Sequence, residues 1–175
     1  VTEQFAKCGA RICIGQSPEN LQDAQVVVIS SAIRDNNVEL VEARRRQIPV
    51  IHRSDALVHI MSWGKGISVA GAHGKTTTSS MLGQVFEECR QDPTIVIGGE
   101  VDYLHSNSIL GKGQYVIAEA DESDGTFLKQ HPYIAVVTNI DADHMDHYNS
   151  LENVIAAFKE FIQKLDPEKG LAVLC

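Results

Sequence analysis

No C-x-x-C pair and no Cys/His ligand spacing occurs in this chain; its four cysteines, Cys8, Cys13, Cys89 and Cys175, are scattered. That pattern argues against structural zinc and reads as reduced thiols in a cytosolic protein. Positive charge is scarce as well. The formal net charge is -8, so the cationic footprint of a general nucleic-acid or anionic-membrane binder is missing. A local phosphate site remains open, because backbone N–H groups and a single lysine can build one. Neither a long apolar run nor a signal-peptide pattern is visible. Internal repeats and low-complexity segments are also missing. What is there is a 175-residue chain with 43% hydrophobic residues, enough for one ordinary domain or two small ones with a real core.

Short β-branched runs alternate with helical stretches. Arg11 to Gly15, Val26 to Ser30 and Pro49 to His52 read as strands, with a helix over Asn36 to Arg46. A further helix, capped by Ser54 with Asp55 in its first turn, runs through Met61. Gly64-Lys65-Gly66 interrupts the pattern as a hinge or domain boundary would. Beyond it, Ile67–Ala70, Thr94–Ile97, Tyr115–Ala120, Ile134–Thr138 and Leu171–Leu174 read as strands, and Thr76 to Cys89 as a helix. Leu151 to Leu165 carries one apolar stripe at helical spacing. The alternation predicts an α/β fold with parallel sheets covered by helices. The chain opens inside a helix and stops on a fresh apolar strand, so it reads as a fragment.

Three segments carry chemistry. Gly71-Ala72-His73-Gly74-Lys75-Thr76-Thr77-Thr78 follows an apolar strand and precedes a helix. Glycines there let backbone N–H groups approach phosphate oxygens, and the helix N-terminus adds its dipole. Lys75 suits the β and γ phosphates, and the Thr76 hydroxyl suits magnesium. The usual G-x-x-x-x-G-K-[ST] pattern is not met, because Val69 stands where its first glycine belongs; a shorter G-x-x-G-K-T form is present. The bland alternative is a Gly-rich turn with an exposed lysine. The second segment, Glu119-Ala120-Asp121-Glu122-Ser123-Asp124, leaves a strand at the end where α/β folds bind ligands. It suits Mg²⁺, a cation that takes hard oxygen ligands, as well as it suits a solvated turn. The third, Asn139 to Tyr148, sets His144 among aspartates, a pattern for metal or phosphate binding or for a capping turn. His52, His59, His105 and His131 show no partner pattern.

The segments GAHGKTTT, EADESD and TNIDADHMDHY resemble the Mur ligases, the cytoplasmic enzymes that build the peptidoglycan peptide. Similarity extends to Asp23–Ile33, Pro49–Arg53 and Asp92-Pro93-Thr94, and so covers nearly the whole chain. The resemblance implies the family's three-domain plan. Residues 1–64 match the latter part of a Rossmann-like domain that binds the UDP substrate, and residues 65–175 the front part of a central P-loop ATPase domain. On that resemblance the family's C-terminal domain is expected to lie outside these residues. It implies an ATP-dependent ligase joining L-alanine to the carboxylate of UDP-N-acetylmuramate through an acyl phosphate. ATP and Mg²⁺ are the implied cofactors, with no nucleic-acid or membrane partner. Gly71, Ala72, His73, Gly74, Lys75, Thr76 and Thr77 would hold the nucleotide, and Thr76, Glu119 and His144 the metal. Lys75, Glu119 and His144 would be catalytic. Ser30, Ser31, His73, Ser123 and Asp146 are candidate substrate or supporting residues.

Where some family members carry a carbamylated lysine, Phe158 stands here, with Lys159 beside it. Residues 1–175 alone are expected to bind nucleotide weakly and to form no amide. The rival readings are another Mur-type or folylpolyglutamate-type ligase, which would differ in substrate, and a nucleotide-binding paralogue without catalysis. Retention of Lys75, Thr76, Glu119 and His144 together speaks against the last, because a simple binder has no need of a second metal ligand.

Overall fold

In a computed structural model, residues 2–101 and 106–175 are described; His105 lies outside them. The chain forms two compact units, up to Ala56 and from Leu57 to Cys175. The division falls inside a helix, ahead of Gly64.

The first unit begins with helix α1 (Thr2–Lys7) and a 3-10 turn at Pro18–Leu21. Strand β1 (Val27–Ile29) pairs in parallel with β2 (Val50–His52) across helix α2 (Val38–Arg45). The Asn37 side chain caps α2 by accepting from the Glu39 and Leu40 amides, satisfying donors that a helix start leaves open. Leu21, Leu40 and Ala43 are its buried apolar side chains. Two expectations fail in this unit. Arg11 to Gly15 is not a strand, and its residues are exposed. Its β-branched composition is a weak preference that needs a partner ladder, and none pairs with it among the described residues. Helix α3 (Arg53–Met61) begins one residue before Ser54, which therefore lies in the first turn and is no cap. Asp55 closes the turn instead, accepting from the His52 amide at 3.1 Å.

The second unit is a six-stranded sheet in the order β5-β4-β6-β3-β7-β8. Its strands are β3 (Lys65–Ala70), β4 (Thr94–Val101), β5 (Ser106–Ile109), β6 (Tyr115–Glu119), β7 (Ile134–Val137) and β8 (Leu171–Leu174). Lys65 and Gly66, expected in a hinge, open β3. All pairings are parallel except β4 with β5, so the all-parallel expectation gives way to a mixed sheet. The polar strand Ser106–Ile109 has no apolar run to announce it and pairs only at the edge.

Helix α4 (Lys75–Glu88) contacts β3, β4 and β6, and Phe86 meets the Tyr115 ring edge-on at 4.9 Å. Side chains alternate across a strand, and Val116, Ala118 and Ala120 lie on the other side. Met61 from α3 packs on Val116 and Ala118. Helix α6 (Leu151–Gln163) lays Val154, Phe158 and Phe161 against Ala70, Ala120, Ala135 and Val137. Phe127, from a 3-10 turn at Thr126–Lys129, joins them, with ring centroids 5.4 Å from Phe158 and 5.2 Å from Phe161. Short helix α5 (Met145–Tyr148) adds the buried Tyr148. No helix among the described residues is long and apolar enough to cross a membrane.

Candidate functional site

The central strands β6, β3 and β7 are neighbours, and each releases one of the three motif loops from its C-terminal end. A parallel sheet makes that meeting unavoidable, because all its strand ends face the same way.

The glycine loop turns from β3 into α4. Gly71 has φ 138 and Gly74 φ 81, values that an L side chain resists. A Cβ on Gly71 would also lie 2.1 Å from Thr138 Oγ1. Gly74 is the N-cap of α4 and offers no side-chain cap, so the first-turn amides have neither an intrahelical acceptor nor a capping one. The loop is tied down from β7 instead. Thr138 Oγ1 and Asn139 Nδ2 donate to the His73 carbonyl at 2.6 and 2.8 Å, and the His73 amide donates to Asn139 Oδ1 at 2.9 Å. The exposed His73 ring lies 3.9 Å from Asp141.

Lys75 folds back over its own loop. Its Nζ donates to the Gly71 carbonyl at 2.7 Å and to Glu122 Oε1 at 2.9 Å. His144 Nε2 stands 3.8 Å from the same Glu122 oxygen. The structure thus brings Lys75 and His144 together around Glu122, a residue the sequence offered only as one of several loop carboxylates. Its side chain is 3% exposed, and a buried carboxylate beside a lysine is an ion pair that burial strengthens. His144 is the N-cap of α5 with φ 53; this left-handed backbone is uncommon outside glycine and clusters at functional turns.

Glu119 ends β6 on the side of the sheet facing α4. Its nearest marker is the Gly98-Gly99 pair of β4. A Cβ on Gly98 would sit 2.9 Å from Glu119 Oε2, and one on Gly99 would sit 3.2 Å from Thr76 Cγ2. Side chains at these positions would crowd Glu119 and Thr76, so the two glycines keep that strip open. Sequence reading missed them, although a Gly-Gly pair late in a strand is the signal for a close approach.

Glu119 Oε1 and Glu122 Oε2 are buried side-chain oxygens with no hydrogen-bond partner among the described residues. Unpartnered buried carboxylate oxygens call for a cation or donor supplied by a ligand. No group of three or more His, Cys, Asp or Glu side chains is arranged around a common ion position among the described residues. A cation held here would thus draw part of its coordination from phosphate and water, as Mg²⁺ commonly does.

The remaining candidates are less engaged. Thr77 and Asp146 are exposed, and Ser123 is half-buried with its amide on Asp121 Oδ1 at 3.1 Å. Below the turn, Tyr148 donates its hydroxyl to the Glu122 carbonyl at 2.6 Å. Burial, and secondarily the charges of Glu122, Asp124 and Asp121, push the Tyr148 hydroxyl up to about 12, so it stays a donor. In the first unit Ser31 Oγ meets His52 Nε2 at 3.1 Å, and His52 Nδ1 meets Ser54 Oγ at 2.7 Å. His52 therefore does have partners, contrary to the reading from sequence. Ser30 is half-buried at the end of β1.

Two family models match: the Mur ligase middle domain over residues 69–175 and the Mur ligase family catalytic domain over residues 1–63. A UDP-N-acetylmuramate–L-alanine ligase of Pelotomaculum thermopropionicum is 54% identical over 99% of this chain, and one of Geobacter sulfurreducens is 53% identical over 99%. The chain spans 38% of the length of each. Among solved structures, the UDP-N-acetylmuramate-alanine ligase of Thermotoga maritima superposes with a TM-score of 0.88 at 32% identity, covering 99% of this chain and 40% of that one. The ligase from Neisseria meningitides that joins UDP-N-acetylmuramate to L-alanyl-gamma-D-glutamyl-meso-diaminopimelate follows at 0.84 and 26%, covering 99% and 59%. With strand ends, glycine loop and both family models in agreement, the chain belongs to the Mur ligase family.

Proposed function

We propose that this chain is the phosphate-handling part of a cytoplasmic, ATP-dependent ligase that joins L-alanine to UDP-N-acetylmuramate in peptidoglycan synthesis. The observation that carries the reading is the meeting of Lys75, Glu122 and His144 at three adjacent strand ends, in a chain 54% identical to a ligase of that name. In this reading residues 1–64 are the latter part of a Rossmann-like domain for the UDP substrate. Residues 65–175 are the front of a P-loop ATPase domain. The alanine pocket belongs to the remaining length of the relatives.

The reaction has two steps. The muramate carboxylate attacks the γ-phosphorus of ATP to give an acyl phosphate and ADP. The alanine amine then attacks the acyl carbon, and phosphate leaves. The first step is in-line phosphoryl transfer, in which catalysis is mostly positioning and charge neutralisation. Residues Gly71 to Thr77 would hold the phosphates chiefly through the uncapped amides at the start of α4, since the Ala72 and His73 amides already donate to Asn139. Lys75 would exchange Glu122 for phosphoryl oxygens and stabilise charge on the group in flight. Thr76, Glu119 and His144 would hold Mg²⁺, which when bound neutralises the phosphoryl and carboxylate oxygens. The Ser30-Ser31 loop would contact the UDP-sugar; His73, Ser123 and Asp146 would support the substrates.

The test is alanine-dependent phosphate release with UDP-N-acetylmuramate in the full-length protein. Lys75→Ala should lower kcat by about 10²–10³ with the fold intact, the scale expected for losing one charge-stabilising donor. Near-normal turnover in a folded Lys75→Ala protein would overturn the assignment.

A further inference from the structure

The turn between Glu119 and Glu122 is gripped at both ends by buried side chains that take no part in the chemistry above. At one end Gln130 Nε2 donates to the Glu119 carbonyl at 3.2 Å. At the other, the Tyr148 hydroxyl donates to the Glu122 carbonyl at 2.6 Å. The Gln130 amide is itself oriented, since its Oε1 accepts from Ser68 Oγ at 2.6 Å. Ser68 lies on β3, the strand that feeds the glycine loop. All three side chains are deeply buried, with Ser68 0%, Gln130 4% and Tyr148 7% exposed. Gln130 follows the 3-10 turn that Phe127 anchors in the core, and Tyr148 closes α5, the helix that His144 opens.

Burying an amide and a phenol hydroxyl among apolar neighbours costs desolvation that only well-made hydrogen bonds offset. Here the bonds go to the carbonyls of the two residues that each bury one carboxylate oxygen without a partner among the described residues. Facing inward costs each of these oxygens its hydration. Lys75 holds the other oxygen of Glu122, and the two backbone carbonyl bonds fix where the turn itself sits.

We propose that Gln130 and Tyr148 are positioning residues that hold the Glu119–Glu122 turn in its cation-binding geometry before Mg²⁺ and nucleotide arrive. The inference rests on the ATP and Mg²⁺ reading above. Gln130 registers Glu119 against the glycine-loop strand through Ser68. Tyr148 couples Glu122 to the helix that carries His144. The gain is preorganisation, because a site held in place does not reorganise at the moment of reaction.

Tyr148→Phe keeps the ring in its packing and removes one donor; Gln130→Met keeps volume and removes the amide. Each variant of the full-length protein is compared with the parent by thermal melting, by calorimetric binding of a non-hydrolysable ATP analogue with and without Mg²⁺, and by steady-state kinetics. The expected result is a loss of about tenfold or more in the Mg²⁺-dependent part of analogue affinity, the scale of losing a residue that orients metal ligands. A matching fall in kcat should be partly restored by excess Mg²⁺, with analogue binding without Mg²⁺ and KM for UDP-N-acetylmuramate unchanged.

Parent-like Mg²⁺ dependence in both folded variants overturns the proposal. So does an equal loss of analogue binding with and without Mg²⁺, since that reports general disruption. If one variant fails to fold, the other decides by the same readouts; if neither folds, the two residues serve folding and the proposal is overturned. Lys75→Ala separates the two layers of inference. Normal analogue binding and turnover in Lys75→Ala would reject the ATP reading itself. A defective Lys75→Ala beside normal Tyr148→Phe and Gln130→Met would reject only the clamp.

Discussion

Both units of this chain present loops at the ends of parallel strands, yet they do so in different surroundings. In the second unit five consecutive residues of β3, Gly66 to Ala70, are buried, and strands lie on both sides of it. Side chains leaving that strand and its neighbours converge in a partly desolvated place, where a lysine and a carboxylate interact strongly. In the first unit the sheet has two strands, and Val28 is 52% exposed. Its polar group, Ser31 with His52, stands near solvent. A largely buried lysine–carboxylate pair thus stands at the strand ends of the six-stranded sheet, and an exposed Ser–His hydrogen bond at those of the two-stranded one. Burial around a contact, as much as the identity of its residues, sets how much that contact is worth.

The largest expected effect comes from removing the burial itself. Phe158→Ala deletes a ring at the centre of the core beneath β7, and should cost about 3–5 kcal/mol of stability in denaturant unfolding. A loss under about 1 kcal/mol would mean that the wide sheet does not depend on this core. Next come Glu119→Ala and His144→Ala. Each should raise the Mg²⁺ requirement of turnover by at least about tenfold, read from Mg²⁺ titrations; unchanged titrations would remove both from the metal site.

On the other side of the comparison, Ser31→Ala removes the exposed hydrogen bond to His52. It should raise KM for UDP-N-acetylmuramate about three- to tenfold and leave KM for ATP unchanged, as suits a bond worth about 1 kcal/mol. An equal effect on both would erase the contrast between the units. The smallest effect is a pH dependence. The Tyr148 hydroxyl, about 10 when unfolded, is pushed up to about 12 in the fold. Between those values the folded state holds a proton that the unfolded chain has released, so stability falls as pH rises through that window and is fully present below it. Tyr148→Phe should flatten that part of the curve in denaturant midpoints measured from pH 9 to 12. The same slope in parent and variant would assign it to other groups.

Much of the second unit was legible because its central strands are largely buried and apolar. Ile67–Ala70, Tyr115–Ala120 and Ile134–Thr138 announced themselves within a residue or two. The motif loops were legible for the same reason, since each directly follows such a run. The misreadings share a cause. Arg11 to Gly15 has strand composition without a ladder, and Ser106–Ile109 has a ladder without strand composition. Pairing is a tertiary event, and local preference decides neither case. Ser54 was misjudged as a cap because Asp55 competes for the same amide role.

By itself the sequence determined the central buried strands, the glycine loop between β3 and α4 and the supply of Lys75, Glu119 and His144, because these depend on local pattern and on which atoms are present. The tertiary structure alone decided that Glu122 is the carboxylate between Lys75 and His144, that Gly98 and Gly99 leave space beside Glu119 and Thr76, and that Gln130 and Tyr148 grip the turn between the two glutamates. Each of those facts is a distance between residues far apart in the chain. Such distances follow from strand order and helix packing, which no single segment encodes.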